Sequence, residues 1–249
     1  MPLAELPPHT ERLLYHDAGC AVVLKYPGQI CARSPEAAAS DSSYLASDWE
    51  SFFSAGQNGV PAGMPVCVNR LDRPVSGAAV LALNASAAAL LSRQFTGSAV
   101  EKEYWAIVEG RIADDGKERL LEHYLSFNTK TQKARVSENP FRAARRARLV
   151  WRCIGIGTHY SFLIVRLLTG RTHQIRAQLA AIGLPVKGDI KYGAKRSERL
   201  GGIRLHARSL AFRPTAAAER IRVTAPLVLH DSLWTAFMQA AGEYDERAR

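Results

Sequence analysis

The chain has no long apolar run and no closely spaced cysteines. It also has fewer acidic residues than basic ones. Its longest apolar stretches, such as Ser76 to Ala89, are too short and too small in side chain to cross a bilayer, so no membrane-spanning helix is expected. The N-terminal residues show no basic start followed by an apolar run, which argues against a secretory signal. We therefore expect a cytoplasmic protein that is not embedded in a membrane.

The four cysteines are widely separated along the chain. Cys20, Cys31, Cys67 and Cys153 stand 11, 36 and 86 residues apart, and no two of them form a C-x-x-C pair. This spacing disfavours a structural zinc site or a redox couple and predicts free, reduced thiols. No metal site is expected.

The composition is that of an ordinary globular protein, with 47% hydrophobic residues, 22% charged residues and a mean hydropathy of −0.13. Wholesale disorder, collagen-like order and coiled-coil rods are therefore disfavoured. A length of 249 residues is enough for one large domain or two small ones, and for a buried core.

The net charge of +10 is unevenly distributed. Residues 130–208 contain 18 Lys and Arg against 3 Asp and Glu, a balance of +15, whereas the other 170 residues sum to −5. A basic segment in an otherwise acidic chain predicts a local surface for a polyanion, with nucleic acid the first candidate and an anionic membrane the second. A generally basic surface that serves solubility is the alternative.

Short segments rich in β-branched, aromatic or leucine side chains predict more strands than helices. The predicted strands are Cys20–Tyr26, Ala78–Leu83, Tyr104–Glu109, Ala147–Ile154, Tyr160–Leu168, Leu205–Phe212 and Arg220–Thr224. The predicted helices are Tyr44–Phe53, Ala85–Phe95, Thr172–Ile182 and Ser232–Ala241. The loop Gly155–His159 between two of these strands is too short for a parallel crossover. We therefore predict an α+β fold around a large mixed, mostly antiparallel sheet flanked by helices, with Pro35–Pro65 as a loop-rich insertion.

A first cluster of candidate functional residues is N-R-L-D-R-P-V-S-G at Asn69–Gly77. If its start is extended, Arg70 and Asp72 lie on one side and Leu71 points into the core. Pro74 disfavours helix before it, so the acid is held on a fixed connection. Neighbouring arginines favour the ionised carboxylate, which suits a nucleophile better than a general acid. A loop salt bridge is the alternative explanation.

A second cluster, L-T-G-R-T-H-Q-I-R at Leu168–Arg176, leads from a strand through a glycine turn into a helix. Ile175, Leu179 and Ile182 follow helical spacing and predict the face that packs on the sheet. Arg176 lies about 100 degrees from that face, so its guanidinium is expected at the boundary between core and solvent.

The start of this helix is also a candidate anion site. Its exposed amides, together with Arg171, would accommodate a phosphate. A capped, basic surface helix is the equally weighted alternative.

Two further segments are weaker signals. In K-E-Y-W-A-I-V-E-G, Tyr104 shares a strand face with Ala106 and Val108, an arrangement that is more often core than catalytic. The segment K-G-D-I-K-Y-G at Lys187–Gly193 and the L-H-A at Leu205–Ala207 indicate a turn and the start of a strand.

The order of these motifs along the chain is more specific than any one of them. R-L-D-R-P-x-S-G, K-E-Y, L-T-G-R-T-H-Q-I-R, K-G-D-x-x-Y-G, L-H-A and a final A-P resemble the RluA-type pseudouridine synthases. The resemblance extends from about Leu13, through a segment similar to the family's first strand and its K-P-x-G turn, to Pro226. It implies a single catalytic domain over residues 1–249 of the form that lacks an S4-type RNA-binding domain.

The resemblance also implies roles for individual residues. Asp72 matches the catalytic aspartate, Tyr104 the active-site tyrosine, and Arg176 the arginine that pairs with the aspartate. Ile175 matches the apolar residue beside that arginine, and Asn69 stands where the family frequently has histidine. On this basis we predict substrate contacts from Arg70, Arg73, Arg171, His173, Gln174 and Ile175. The predicted RNA-backbone contacts are Arg142, Arg145, Arg146, Arg148, Lys187 and Lys191.

The implied activity is isomerisation of uridine to pseudouridine in structured rRNA or tRNA, with RNA as the partner. One carboxylate can act as the nucleophile, whereas hydrolysis of a glycosidic bond requires a second flanking acid. Every atom of the product comes from the substrate, so no metal or cofactor is expected. Two alternatives stay open: a non-catalytic RNA-binding protein, and a metal-independent ribonuclease that uses His173 and His206 as acid and base.

Overall fold

The computed structural model describes residues 6–31, 43–55, 65–97, 99–112, 116–198, 201–215 and 218–247. Within these residues the chain forms eleven strands and five α-helices. No helix in the described part is long and apolar enough to span a membrane. The predicted α+β fold with mostly antiparallel strand pairing is confirmed.

The strands are β1 Leu13–His16, β2 Cys20–Lys25, β3 Val66–Cys67, β4 Ser76–Ala82, β5 Glu101–Glu109, β6 Arg119–Asn128, β7 Lys133–Ser137, β8 Arg145–Ile156, β9 Tyr160–Leu167, β10 Leu205–Phe212 and β11 Ile221–Thr224. The helices are α1 His9–Arg12, α2 Leu45–Ala55, α3 Ala85–Thr96, α4 Gln174–Ala181 and α5 Ser232–Arg247, with a 3-10 helix at Ile190–Tyr192.

The chain divides into two compact units, of which the first comprises residues 1–102, 200–202 and 207–226. Its sheet has the order β1-β2-β4-β10, with β3 paired to β4 and β11 paired to β10. All residues of β2 and β4 are buried, because both faces of these strands are covered. The two strands pair in antiparallel register from Cys20 opposite Ala82 to Lys25 opposite Gly77. This pairing fixes the chain on either side of the motif that precedes β4.

The second unit comprises residues 103–199, 203–206 and 227–249. Its antiparallel sheet has the order β5-β9-β8-β6-β7. Helix α5 covers one face, where Phe237 stacks on Trp105 with ring centroids 4.7 Å apart. Helix α4 packs against β6 and β8, where its Ala177 lies in a buried cluster with Leu125 and Ala147. The prediction of one catalytic domain over residues 1–249 stays a prediction.

The sequence located most strands to within a few residues of their observed bounds. The short loop 157–159 joins β8 and β9, and the two strands pair antiparallel, as predicted. Strands β6 and β7 were not predicted from the sequence. Their polar and charged residues keep both strands only half-buried, and this weakens the alternation of apolar residues by which a strand is recognised. Helix α2 lies within the predicted insertion Pro35–Pro65, whose residues 35–42 and 56–64 lie outside the described residues.

Gly77 permits a close approach between β4 and β10, and this yields a testable prediction. Its φ is +120°, and an added Cβ would lie 2.3 Å from the carbonyl oxygen of Ala207. Gly77→Ala should therefore lower the free energy of unfolding by about 3 kcal/mol or more, measured by urea denaturation. Gly242→Ala in α5 is the control, because its Cβ meets open space and alanine should stabilise the helix by about 0.5–1 kcal/mol. Equal effects of the two substitutions would contradict this account.

Candidate active site

The segment between β3 and β4 presents the predicted nucleophile. Leu71 is buried at 6% exposure, Asp72 is half-buried, and Arg70 and Arg73 are exposed. The alternation predicted for an extended Arg70–Asp72 is therefore observed. A turn follows, because the Val75 amide donates to the Asp72 carbonyl at 3.0 Å.

A buried lysine lies beneath this segment. The ammonium of Lys25, at 0% exposure, donates to the carbonyl oxygens of Val75 at 2.6 Å and of Asp72 and Arg73 at 3.2 Å each. It also reaches the Tyr26 carbonyl at 3.2 Å. Burial lowers the pKa of Lys25 to about 8. Since one charge satisfies carbonyls on both sides of the Asp72 turn, Lys25 ties that turn to the end of β2.

Two further contacts fix the segment. The Gly28 amide donates to the Arg73 carbonyl at 2.8 Å, and Arg73 Nε donates back to the Gly28 carbonyl at 3.2 Å. The side chain of Asn69 pairs with β4 as a strand backbone would: its Nδ2 donates to the Ala78 carbonyl, and its Oδ1 accepts from the Val80 amide at 2.6 Å. Asn69 therefore serves to hold β4.

The other two predicted catalytic residues belong to the second unit. Tyr104 lies on β5 opposite Val165 and is 8% exposed. Both faces of β5 are buried in the middle of the strand, so the tyrosine face is distinct from the face on which Trp105 meets α5.

The structure corrects the expected environment of Arg176. Its guanidinium is 4% exposed, not at the boundary with solvent, and forms a bidentate pair with Asp189. Arg176 Nε donates to Asp189 Oδ2 at 2.6 Å and Nη2 to Oδ1 at 2.9 Å. The guanidinium also lies over the Tyr192 ring, 5.0 Å from its centroid. Asp189, which the sequence indicated only as part of a turn, is therefore a functional candidate that positions Arg176.

The start of α4 is held by its own side chains. The side-chain oxygen of Gln174, Oε1, accepts from the Arg171 backbone amide at 2.9 Å and from Thr169 Oγ1 at 2.8 Å, and its side-chain Nε2 donates to the Arg148 carbonyl. Gln174 is 3% exposed, so a substrate contact would have to break these hydrogen bonds. The Arg171 guanidinium contacts the Arg146 carbonyl at 3.2 Å. The predicted phosphate site at this turn gains no support from these contacts.

His173 and Ile175 also serve the local fold. His173, with a φ of 58°, places Nδ1 2.8 Å from the hydroxyl of Tyr192. Ile175 is 4% exposed and packs inward, as predicted. Ile182 does not share this packing: α4 ends at Ala181, and Ile182 is 37% exposed.

The histidine that a ribonuclease would require beside RNA is not accessible. His206 is fully buried, and its ring meets Trp234 edge-on with centroids 6.3 Å apart.

The predicted RNA-backbone arginines of β8 fall on two faces of the sheet. Arg145 shares the face of Ala147, which packs with α4. Arg146 and Arg148 lie on the opposite face, where both approach Glu122, at 2.7 and 3.2 Å. Arg142 is exposed in the preceding turn, so the four arginines do not all lie on one face of β8.

The two predicted lysine contacts also differ. Lys187 is ion-paired with Glu198 at 2.6 Å, and its side chain is only 16% exposed. Burial opposes ionisation of Glu198, but hydrogen bonds from Arg204 and Lys187 outweigh it and lower the pKa of the carboxyl. Lys191 is exposed and donates to the Gln132 carbonyl at 3.1 Å. Exposure therefore favours Lys191 over Lys187 as a phosphate contact.

Within the described residues, no three His, Cys, Asp or Glu side chains cluster as metal ligands would.

Comparison with known proteins gives three concordant matches. A family described as RNA pseudouridylate synthase matches residues 21–181. The tRNA pseudouridine synthase C of Haemophilus ducreyi is 32% identical over 189 residues, covering 67% of this chain and 73% of that protein. An uncharacterized RNA pseudouridine synthase of Zymomonas mobilis is 31% identical over 207 residues, covering 82% and 89%.

Solved structures show the same fold. The human RNA Pseudouridylate Synthase Domain Containing 4 superposes with a TM-score of 0.68 at 19% identity, covering 93% of each chain. The human RNA Pseudouridylate Synthase Domain Containing 1 superposes with a TM-score of 0.65 at 22% identity, covering 94% of this chain and 98% of the other.

The buried ammonium of Lys25 predicts a pH dependence of stability. Folded Lys25 has its pKa lowered to about 8, whereas the unfolded chain keeps the ordinary value of 10.5. Between these pH values the unfolded state binds more protons, so the wild type should gain stability relative to Lys25→Met as pH rises. The gain is on the order of 3 kcal/mol, because one pKa unit is worth about 1.4 kcal/mol. Urea unfolding from pH 7 to 11 measures it, and a constant difference would show that folded Lys25 keeps its proton.

Proposed function

The chain belongs to the RNA pseudouridylate synthase family, and we propose that it isomerises uridine in a structured rRNA or tRNA with Asp72 as the nucleophile. The family makes it an isomerase that acts on RNA. The observation that carries the choice of Asp72 is the rigid, doubly anchored turn on which that half-buried carboxylate stands.

The reaction rearranges bonds within one nucleoside. The bond between uracil N1 and ribose C1′ breaks, the base turns in place, and its C5 joins C1′. The proton on C5 is lost and N1 gains one, so the product is an isomer of the substrate. A carboxylate nucleophile can form a covalent bond to one of the two separated parts of the nucleoside, the ribose or the uracil, while the base turns. No water enters the product.

The surroundings of Asp72 suit that task. The Asp72 carbonyl accepts from Lys25, and the Gly28 amide holds the carbonyl of the next residue, Arg73, so the carboxylate is held without a large entropy cost on binding. The exposed arginines on either side, Arg70 and Arg73, are candidate contacts for the phosphates that flank the target nucleotide. The target base has to leave its stack to reach such a carboxylate.

We assign supporting roles to Tyr104 and Arg176. Tyr104 supplies a phenol on a rigid strand, suited to stack on the uracil and to assist removal of the C5 proton. Arg176 supplies a guanidinium whose orientation is fixed by Asp189. The pair with Asp189 offsets the cost of burying this charge, so the arginine keeps its position before RNA binds.

An rRNA or tRNA substrate is supported by two observations. The segment 130–208 has a balance of +15, which suits a folded polyanion. The name of the Haemophilus ducreyi relative assigns that protein a tRNA substrate.

Asp72→Asn tests the proposed nucleophile. The amide keeps the shape of the side chain but cannot attack, so turnover should be abolished while RNA affinity falls little. Release of tritium from C5-labelled uridine in RNA, with EDTA present, measures turnover, and filter binding measures affinity. Glu50→Gln is the control, since it removes the same charge from an exposed position on α2. An active Asp72→Asn enzyme would refute the assignment.

The two faces of β8 give a matched test of RNA contact. We expect Arg142→Gln with Arg145→Gln to reduce the slope of log affinity against log salt by roughly 0.7–0.9 per lost phosphate contact. The double variant Arg146→Gln with Arg148→Gln removes the same charge from the opposite face, where Glu122 already offsets the arginines. Its salt slope should stay near that of the wild type. A salt slope of the Arg142/Arg145 variant equal to that of the wild type would show that these two arginines do not contact RNA.

A further inference from the structure

Two cysteines that are distant in sequence meet in the first unit. Cys31 and Cys67 are 36 residues apart, yet both sulfurs contact the backbone of the same short segment, Asn69–Leu71. Both thiols are free, and Cys31 is 7% exposed. The sequence spacing disfavoured a redox couple, but the fold brings both sulfurs to the same segment of backbone.

Each thiol also holds the backbone just ahead of Asp72. The Leu71 amide donates to Cys31 Sγ at 3.4 Å. The Cys67 thiol donates to the Asn69 carbonyl at 3.1 Å. The two thiols therefore hold the segment that leads to Asp72 at Asn69 and at Leu71, which are three residues and one residue before it.

The electrostatic environment distinguishes the two sulfurs. Interaction with the Cys67 side chain lowers the pKa of Cys31, burial opposes this effect, and the Lys25 ammonium reinforces it. Interaction with the Cys31 side chain and burial raise the pKa of Cys67. Cys31 is thus favoured as the thiolate, which is the reactive form of cysteine, and Cys67 as its protonated neighbour.

We propose that Cys31 and Cys67 form an oxidation site for hydrogen peroxide, which converts them to a disulfide that displaces the Asp72 turn and lowers synthase activity. The effect on activity rests on the proposed function, whereas formation of the disulfide does not.

The chemistry balances with peroxide as the only oxidant. The Cys31 thiolate attacks one peroxide oxygen, the O–O bond breaks, and the departing hydroxide takes a proton to become water. Cys67 sulfur then attacks the resulting sulfenic acid, the S–O bond breaks, and a second water leaves. The two thiols lose one hydrogen each, and one peroxide is reduced to two waters.

The disulfide changes both anchors of the turn. Its sulfurs lie about 2.05 Å apart, closer than any non-bonded contact. Cys67 loses the hydrogen that it donates to the Asn69 carbonyl, and the sulfurs must move together to close the bond. Because misplacement of a reacting group by about 1 Å can cost about a hundredfold in rate, kcat should fall by about tenfold or more, with KM nearly unchanged.

The experiment uses the full-length protein, first reduced and then treated with hydrogen peroxide. Peptide mapping by mass spectrometry reports which cysteines become linked, and tritium release reports kcat and KM before and after dithiothreitol. The variants Cys67→Ser and Cys153→Ser are each compared with their own reduced sample. Cys153 is buried on β8 in the second unit and serves as the control cysteine.

We expect a Cys31–Cys67 linkage in the wild type and in Cys153→Ser, with activity lost on oxidation and restored by dithiothreitol. Activity of Cys67→Ser should not show this reversible loss, because serine cannot form the disulfide. The absence of the linkage in folded, peroxide-treated protein would overturn the oxidation site. A linkage that leaves kcat unchanged would overturn its effect on the Asp72 turn. If the reduced wild type has no synthase activity, the proposed function fails, while the peptide map still decides the disulfide.

Discussion

The buried ammonium of Lys25 is the interaction on which the candidate site depends. An unpaired charge in a protein interior is costly, and Lys25 reduces that cost by donating to backbone carbonyls of the Asp72 turn. The same contacts hold the turn, because three of its carbonyl oxygens accept from the one ammonium group. Pairing of β2 with β4 places Lys25 opposite Gly77, so the sheet register positions the lysine and the lysine positions the turn.

A second buried charge is treated differently in the second unit. Arg176 is paired through two hydrogen bonds with Asp189 and covered by the Tyr192 ring. Tyr192 accepts from the Ala134 amide at 2.7 Å and contacts His173, so one cluster joins α4, the 3-10 helix and β7. Removing Arg176 would take this ion pair from the buried Asp189 carboxylate, and breaking a buried pair generally costs about 3–5 kcal/mol. Position and stability are therefore coupled at Arg176, whereas exposed pairs such as Arg146–Glu122 contribute little.

The cysteine pair shows how the same turn could respond to its surroundings. Lys25 favours the thiolate of Cys31, and the two thiols hold the backbone at Asn69 and Leu71. Anchors that fix a nucleophile are also the places where a small covalent change has the largest effect on it. A carboxylate on a flexible loop would be insensitive to such a change.

The sequence by itself determined the family, the α+β class, most strands and the alternation of Arg70, Leu71 and Asp72, because these depend on local pattern and on motif order. The tertiary structure alone decided what those residues contact. Helix geometry, at about 100 degrees per residue, predicted Arg176 near solvent. In the structure Arg176 is buried, because Asp189, at the start of the 3-10 helix, pairs with it. The spacing of 36 residues separated Cys31 from Cys67 in the sequence, but the fold places both sulfurs against the backbone of Asn69–Leu71. Contacts between residues far apart in sequence follow from how elements pack, and no local pattern encodes that packing.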